Sequence, residues 1–495
     1  MFPTLATRRA ATLLSLSTLS TFCLPALAAE PPDANAAQNG LAQRIARVEQ
    51  GLLPTVSVTG MPPARRALAE EMARLGIPGA SIAVVHGGEI EWAKGYGVVT
   101  PGGAAVTTST PFQAASISKP VAAMAALKLA ESGVIALDRD VNTYFSRWKL
   151  PKDADDNAVT LRQLLSHTAG TTVHGFPGYA AGMPVPTIVQ ILNGAAPSNT
   201  RGVHVSSRPG SQWRYSGGGY TVVQYLLTER SGRAFPQLLA DTVLKPLGMH
   251  DSSFEQPASP ALLARVALPH DGAGKPIAGG PHTYPELAAA GLWTTPSDLA
   301  RYTIEVRRSA AGQSNKVLSQ SMTNMMLTPV RNEFGLGLGV QGEGQSQTFS
   351  HGGSNAGYQN MMVAYTERGE GIVVMTNGDR GSELANALVR SVAAEYNWPT
   401  HRTRERAAVA VSAASLQALP GTYDTGGMGD FTVARSADGL TIALPNAAPE
   451  PLHAAAGLGD TYFIASRGLE LQFTPNGKGR LTTPGNTVVP FTRRK

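Results

Sequence analysis

Three short patterns along the chain combine residue types that can carry out acyl transfer. The first is Ser116-Ile117-Ser118-Lys119, followed by Pro120 and an Ala-rich apolar run over 121–127. That run has the character of a buried helix ending at Gly133, and proline is tolerated only in a helix's first turn. The spacing therefore predicts Ser116 at the helix N-terminus and Lys119 one turn later on the same face. First-turn amides have no helical partner, so the Ser116 N–H can hold an oxyanion. The positive helix end also favours a neutral lysine able to take the hydroxyl proton. Alone, so short a pattern more often marks a capping serine and a surface lysine.

The second pattern is Tyr215-Ser216-Gly217 within a Gly-rich turn that leads into a helical run. Such a turn fixes a phenol without much motion, and beside a lysine that phenol can serve as a base. The third is His351-Gly352-Gly353-Ser354, next to an expected edge strand, where two glycines let a substrate backbone lie close. Other patterns resemble chemistry without its context. Gly337-Leu338-Gly339-Val340-Gln341-Gly342 has the dinucleotide-loop spacing but runs into Glu343-Gly344-Gln345-Ser346 rather than a helix. Gly352-Gly353-Ser354-Asn355-Ala356 fails as a nucleophile elbow at its last position. His167 and His174 read as loop staples rather than metal ligands, and Asp138-Arg139-Asp140 as a turn with surface ion pairs. Trp92, Trp148 and Trp213 read as core or groove lining.

Elements must position these groups. With 495 residues, 42% hydrophobic and 15% charged, the chain can bury several cores and does not have the composition of a disordered protein. Residues 1–28 read as a cleaved signal peptide: Arg8 and Arg9, an apolar stretch, then Ala26-Leu27-Ala28. Its loss lowers the net charge from +6 to +4 and removes Cys23, the single cysteine. The arginine pair permits twin-arginine export, although Ala10-Ala11 fits that pattern poorly. The expected location is periplasmic or secreted, with no membrane span. Residues 29–63 read as a tether, 64–400 as one α/β (α+β) domain, 401–414 as a linker, and 415–495 as a small C-terminal all-β accessory domain. In the main domain, a hairpin at Gly87-Gly88 and strands at 334–340, 359–366 and 371–376 predict an antiparallel sheet flanked by helices, with a helical region inserted at 116–310. Thr295-Pro296-Ser297-Asp298 is a helix start. Lys and Arg do not cluster as nucleic-acid binding requires.

In order and spacing, the three patterns resemble the active-site motifs of serine β-lactamase-related hydrolases: class C β-lactamases, DD-peptidases, D-aminopeptidases and related esterases. Leu164-Leu165-Ser166-His167-Thr168-Ala169-Gly170, Pro246-Leu247-Gly248-Met249 and the segment 290–299 agree. The resemblance covers about residues 65–400. It implies a β-lactamase/transpeptidase-like fold, acylation of Ser116, proton handling by Lys119 and Tyr215, and an oxyanion hole from the Ser116 and Ser354 amides. His351, Gly352, Gly353 and Gly217 would line the substrate, and no metal or organic cofactor is implied. Two departures bear on the substrate. His351-Gly352-Gly353 stands where Lys-Thr-Gly is usual, replacing a permanent cation by a group titrating near about 6.5. Gly217 stands where the family's Tyr-x-Asn motif carries an amide. Both favour an ester or a D-amino-acid peptide or amide. The alternatives are a true class C-like β-lactamase or DD-carboxypeptidase, and a non-catalytic penicillin- or wall-binding protein. Whether Lys119 or Tyr215 is the base stays open, as does the oligomeric state.

Overall fold

Gly87 and Gly88, at φ 60° and 83°, turn the chain between strands β1 (Gly79–His86) and β2 (Glu89–Gly97). This is the hairpin expected at the Gly-Gly pair. The computed structural model describes residues 34–494 apart from 154–156, 427–428, 446 and 484–486. The expected signal peptide, with Cys23, lies outside the described residues. The chain divides at Ile45/Ala46 into two units. The first ends within the helix Ala34–Glu49, and all that follows concerns the second.

Four more strands complete the main sheet: β3 (Gly339–Gln341), β4 (Thr348–Asn355), β5 (Tyr358–Tyr365) and β6 (Gly371–Thr376). Their order is β2-β1-β6-β5-β4-β3, antiparallel throughout. The strands thus come from both ends of the domain, and the predominantly helical region between them is an insertion. Every residue of β6 is buried, so both faces of the sheet are covered. On one face Ala83, Val373 and Met375 share a core with Leu299, Tyr302 and Val306 of the helix Pro296–Ala310. Thr295 caps that helix by accepting from the Asp298 amide. The helix Gly381–Glu395 packs against β5 and β6 from the opposite side. Helix α1 (Ser118–Glu131) is buried almost all round inside the larger core.

Beyond residue 420 eight strands run as successive antiparallel hairpins, from β7 (Gly421–Asp424) to β14 (Val488–Arg493). Tyr423 and Asp424 of β7 pair with Arg493 and Thr492 of β14, which closes the ring into a barrel. Its interior holds Tyr423, Phe431, Leu471, Phe473 and Phe491. Closure removes the free edges that an open sheet would expose.

The described residues of the segments expected to be a tether and a linker carry regular structure. In place of the tether stand the helix Ala34–Glu49 and a strand Val56–Val58, with Leu52, Leu53 and Val56 buried. The Leu53 amide donates to Ser391 Oγ, and Arg390 Nε donates to the Leu53 carbonyl, both from the helix Gly381–Glu395. Val56 meets Ala455 and Phe463 of the barrel. These apolar residues lie among Gly, Pro and Thr without a period, so nothing local announces that they are buried. In place of the linker, Arg404–Arg406 pairs in parallel with Val56–Val58, and Ala408–Val409 pairs antiparallel with Ala454 and Ala455. None of the described helices is long and apolar enough to cross a membrane.

Candidate active site

Ser116 lies on a 3-10 turn, Ala115–Ile117, and α1 begins only at Ser118. The expected helix start is therefore displaced by one tight turn. The cause is Ala115, which is fully buried at φ 52°. A left-handed alanine costs on the order of 1–2 kcal/mol. Neighbouring bonds hold it there. Ser118 Oγ donates to the Ala115 carbonyl at 2.6 Å and accepts from the Leu292 amide at 3.0 Å. Ser116 is left half-buried at the surface of the core.

Lys119, one turn on, is 2% exposed. Its Nζ stands 2.9 Å from Ser116 Oγ and donates to the Ala289 carbonyl at 2.8 Å. The ring centroids of Tyr215 and Tyr220 lie 5.0 and 5.8 Å away. Among the described residues no carboxylate pairs with this amine. The Ala289 carbonyl belongs to a short helix, Leu287–Ala290, whose Ala290 carbonyl accepts from Asn355 Nδ2 at the end of β4. Asn355 also donates to Gln113 Oε1, and Asn360 Nδ2 to the Gln113 carbonyl. A buried amide network thus ties the turn bearing Ser116 to the edge of the sheet. Its members have no chemical signature in sequence, which is why Gln113 and Asn355 escape a motif search.

Tyr215 precedes helix α2 (Gly217–Ser231), whose cap is Ser216. Ser216 Oγ accepts from the Gly219 amide and donates to the Thr172 carbonyl. The Ser216 amide donates to His167 Nδ1 at 3.2 Å, and the Arg214 amide to the His167 carbonyl at 2.8 Å. His167 therefore grips the chain on both sides of Tyr215, and its ring lies 4.3 Å from the phenol ring. The staple reading of His167 holds, but the staple is also a wall of the site. Burial, and then the charge of Lys119, drive its pKa well below the ordinary value. Neutral, with Nδ1 accepting, it carries its proton on Nε2.

His351 sits on β4, 8% exposed. Burial, with Lys119 second, pushes its pKa down to about 3. Its Nδ1 donates to the Gly352 carbonyl at 2.6 Å, leaving Nε2 as a buried acceptor without a partner. Its ring stands 6.3 Å from that of Tyr215. The two glycines that follow differ. Gly352 is exposed, with nothing nearer than 3.7 Å to a side chain placed there. Gly353 is buried, and a methyl on it would overlap the Ala114 carbonyl oxygen. Its bareness serves the seat of β4 against the turn bearing Ser116, not the approach of a substrate. Ser354 is exposed on the same strand and accepts from Gln359 Nε2 through its hydroxyl.

Gly217 has no room for the missing amide. A Cβ there would lie 2.9 Å from Phe176 Cε2 and 3.1 Å from the His174 carbonyl. Glu286, unremarked in sequence, is fully buried with neither carboxylate oxygen partnered. Burial raises its pKa to about 8, so it is largely uncharged at neutral pH. The remaining patterns are structural. Gly337 (φ 100°) packs on Ala123 and the chain continues into β3, while Asp138 takes a bidentate pair from Arg162. Chemically, the site offers a hydroxyl against an amine, a phenol over that amine, and a strand edge with a neutral imidazole.

The Beta-lactamase family model matches residues 64–396. The protein flp of Staphylococcus aureus (strain N315) is 24% identical over 324 residues, covering 61% of this chain. The match takes in 60% of that relative's own length. Among solved structures, the octameric penicillin-binding protein homologue from Pyrococcus abyssi gives a TM-score of 0.60 at 21% identity, covering 86% of this chain and 98% of that one. The D-amino acid amidase from Ochrobactrum anthropi, solved with L-phenylalanine, gives 0.54 at 21% identity, covering 72% and 98%. At such identities the likeness is one of fold.

Proposed function

We propose, on the premise that the chain belongs to the beta-lactamase family and is a serine hydrolase, that it is exported and cleaves a small acyl ester or a D-amino-acid peptide or amide through a Ser116 acyl-enzyme. Ser116 Oγ attacks the carbonyl carbon. As a free amine, Lys119 can keep its bond to the Ala289 carbonyl and turn its lone pair to the hydroxyl 2.9 Å away. Tyr215 passes the proton on to the leaving group. The Ser116 and Ser354 amides stabilise the oxyanion, and water then releases the acyl group.

The observation that carries the substrate reading is the state of His351. Buried in the site, it is held neutral and offers no cation to a substrate carboxylate. The crowding of Gly217 by Phe176 supports the same preference. Export is supported by the pattern of residues 1–28. The test is to assay purified protein on p-nitrophenyl esters, D-amino-acid anilides and nitrocefin, with Ser116→Ala as control. Ester or anilide turnover is expected, falling by about 10³-fold or more in the variant. Nitrocefin turnover without the other two would favour a true β-lactamase. Equal labelling of both proteins by a fluorophosphonate would remove the acyl-enzyme.

A further inference from the structure

A cavity of about 820 Å³ opens between the helix Gly381–Glu395, the segment 52–55 and the barrel, and none of the residues around Ser116 lines it. Its walls carry four arginines, Arg66, Arg74, Arg390 and Arg467, against two acids, Glu71 and Glu383. The acids are already engaged. Glu71 receives Arg74 through both oxygens and has Arg66 at 3.7 Å. Glu383 receives Arg380 at 2.9 Å, with Arg74 and Arg467 more distant.

Two donor groups are left over. Arg390 gives Nε to the Leu53 carbonyl, and no carboxylate pairs with it among the described residues. Burial lowers its pKa to about 10, against the charge of Glu71, which raises it, and with that of Arg404, which lowers it further. Arg467 spends Nε on Glu450 at 2.8 Å, but its Nη2 is buried without a partner. A desolvated guanidinium keeps its charge and is costly to leave unpaired. Both arginines line a chamber whose volume lies within the usual range for small-molecule sites. Arg390 belongs to the hydrolase domain and Arg467 to the barrel, so an oxyanion bridging them would bind both bodies at once.

We infer that this chamber is a binding site for a small dianion bearing carboxylate or phosphoryl oxygens, held between Arg390 and Arg467 at the junction of hydrolase domain and barrel. Binding to the folded state alone raises the melting temperature in a saturable way.

The test uses the full chain and two simple probes, inorganic phosphate and succinate, followed by thermal melts and by titration calorimetry. At least one probe is expected to bind with Kd of about 1 mM or tighter. Chloride at equal ionic strength should not reproduce the shift. Arg390→Met and Arg467→Met should each weaken binding by about tenfold or more, whereas Ser116→Ala should leave it unchanged. If a methionine variant does not fold, Arg390→Lys replaces it, and a loss of affinity is again expected because lysine lacks the planar fork. A preference for one probe distinguishes a carboxylate from a phosphate ligand. Wild-type protein that binds neither probe, or variants that bind as well as wild type, would overturn the assignment.

Discussion

The ring of His167 packs 4.3 Å from that of Tyr215, and its Nδ1 accepts the amide of Ser216, the next residue along. One histidine thus fixes both the phenol and the cap of the helix behind it. His167 itself sits at φ 58°, a conformation that asparagine tolerates better than most residues. His167→Asn can keep the backbone and the acceptor while losing the ring; His167→Ala loses both. We expect kcat to fall by about 10–100-fold in the alanine variant, the scale of a misplaced catalytic group. The asparagine variant should recover part of that. Steady-state kinetics beside a melt would check this, and equal losses in the two variants would contradict it.

Gly352 and Gly353 give a contrast within one dipeptide. Gly353→Ala drives a methyl into the Ala114 carbonyl and should cost about 1–3 kcal/mol together with most of the activity. Gly352→Ala has space and should alter stability by no more than about 0.5 kcal/mol, its effect falling on KM. Urea melts and kinetics on both variants decide the matter; comparable destabilisation would refute the different roles given to the two positions.

Restoring the family's amide should not by itself restore β-lactam chemistry. Gly217→Asn collides with Phe176 and with the His174 carbonyl, so destabilisation of about 1–3 kcal/mol is expected. Pairing it with Phe176→Ala should recover part of that loss. The pair interacts directly, so a double-mutant cycle should show non-additivity of about 0.5 kcal/mol or more. Strict additivity would show that Phe176 is not the obstacle.

His351 makes stability acid-sensitive. Its folded pKa, about 3, lies below the free value of 6.5, so the unfolded chain takes up the proton first. The contribution is present above pH 6.5 and lost as pH falls toward 3. Melts at about pH 7 and pH 4.5 should show a larger acid loss for wild type than for His351→Asn. Between about pH 5 and 8 the imidazole does not titrate, so the kcat/KM profiles of the two proteins should run parallel there. An inflection near pH 6.5 present only in wild type would contradict the buried neutral form.

Glu286 acts in the opposite sense. Its folded pKa of about 8 lies above the free value of 4.5, so its contribution is present below pH 4.5 and lost as pH rises through 8. Glu286→Gln cannot ionise. Relative to wild type it should gain stability between about pH 5 and 8.5, by up to a few kcal/mol. A difference between the two proteins that does not change with pH would sink this account.

What was legible in the sequence was short-range. Ser116, Lys119, Tyr215 and His351 could be found because each sits in a pattern of a few residues. The Gly87-Gly88 hairpin and the Thr295 cap obey local turn and capping rules. The illegible parts depend on distant partners. The 3-10 turn at Ser116 exists because Leu292 and Ala115 meet across Ser118. The burial of Glu286 cannot be inferred from its neighbours Tyr284, Pro285 and Leu287, which carry no periodic pattern of their own. The placement of Leu53 depends on a helix more than three hundred residues later.

That last distance has a consequence for the order of assembly. Among the described residues Val56–Val58 has one strand partner, Arg404–Arg406, and it lies beyond the whole hydrolase domain. A chain emerging from its N-terminus carries this strand unpaired until the final fifth is made, and closing so long a loop is slow. A truncation before residue 404 would therefore lose more than the accessory barrel, because it would strip Val56–Val58 of the ladder partner it has among the described residues.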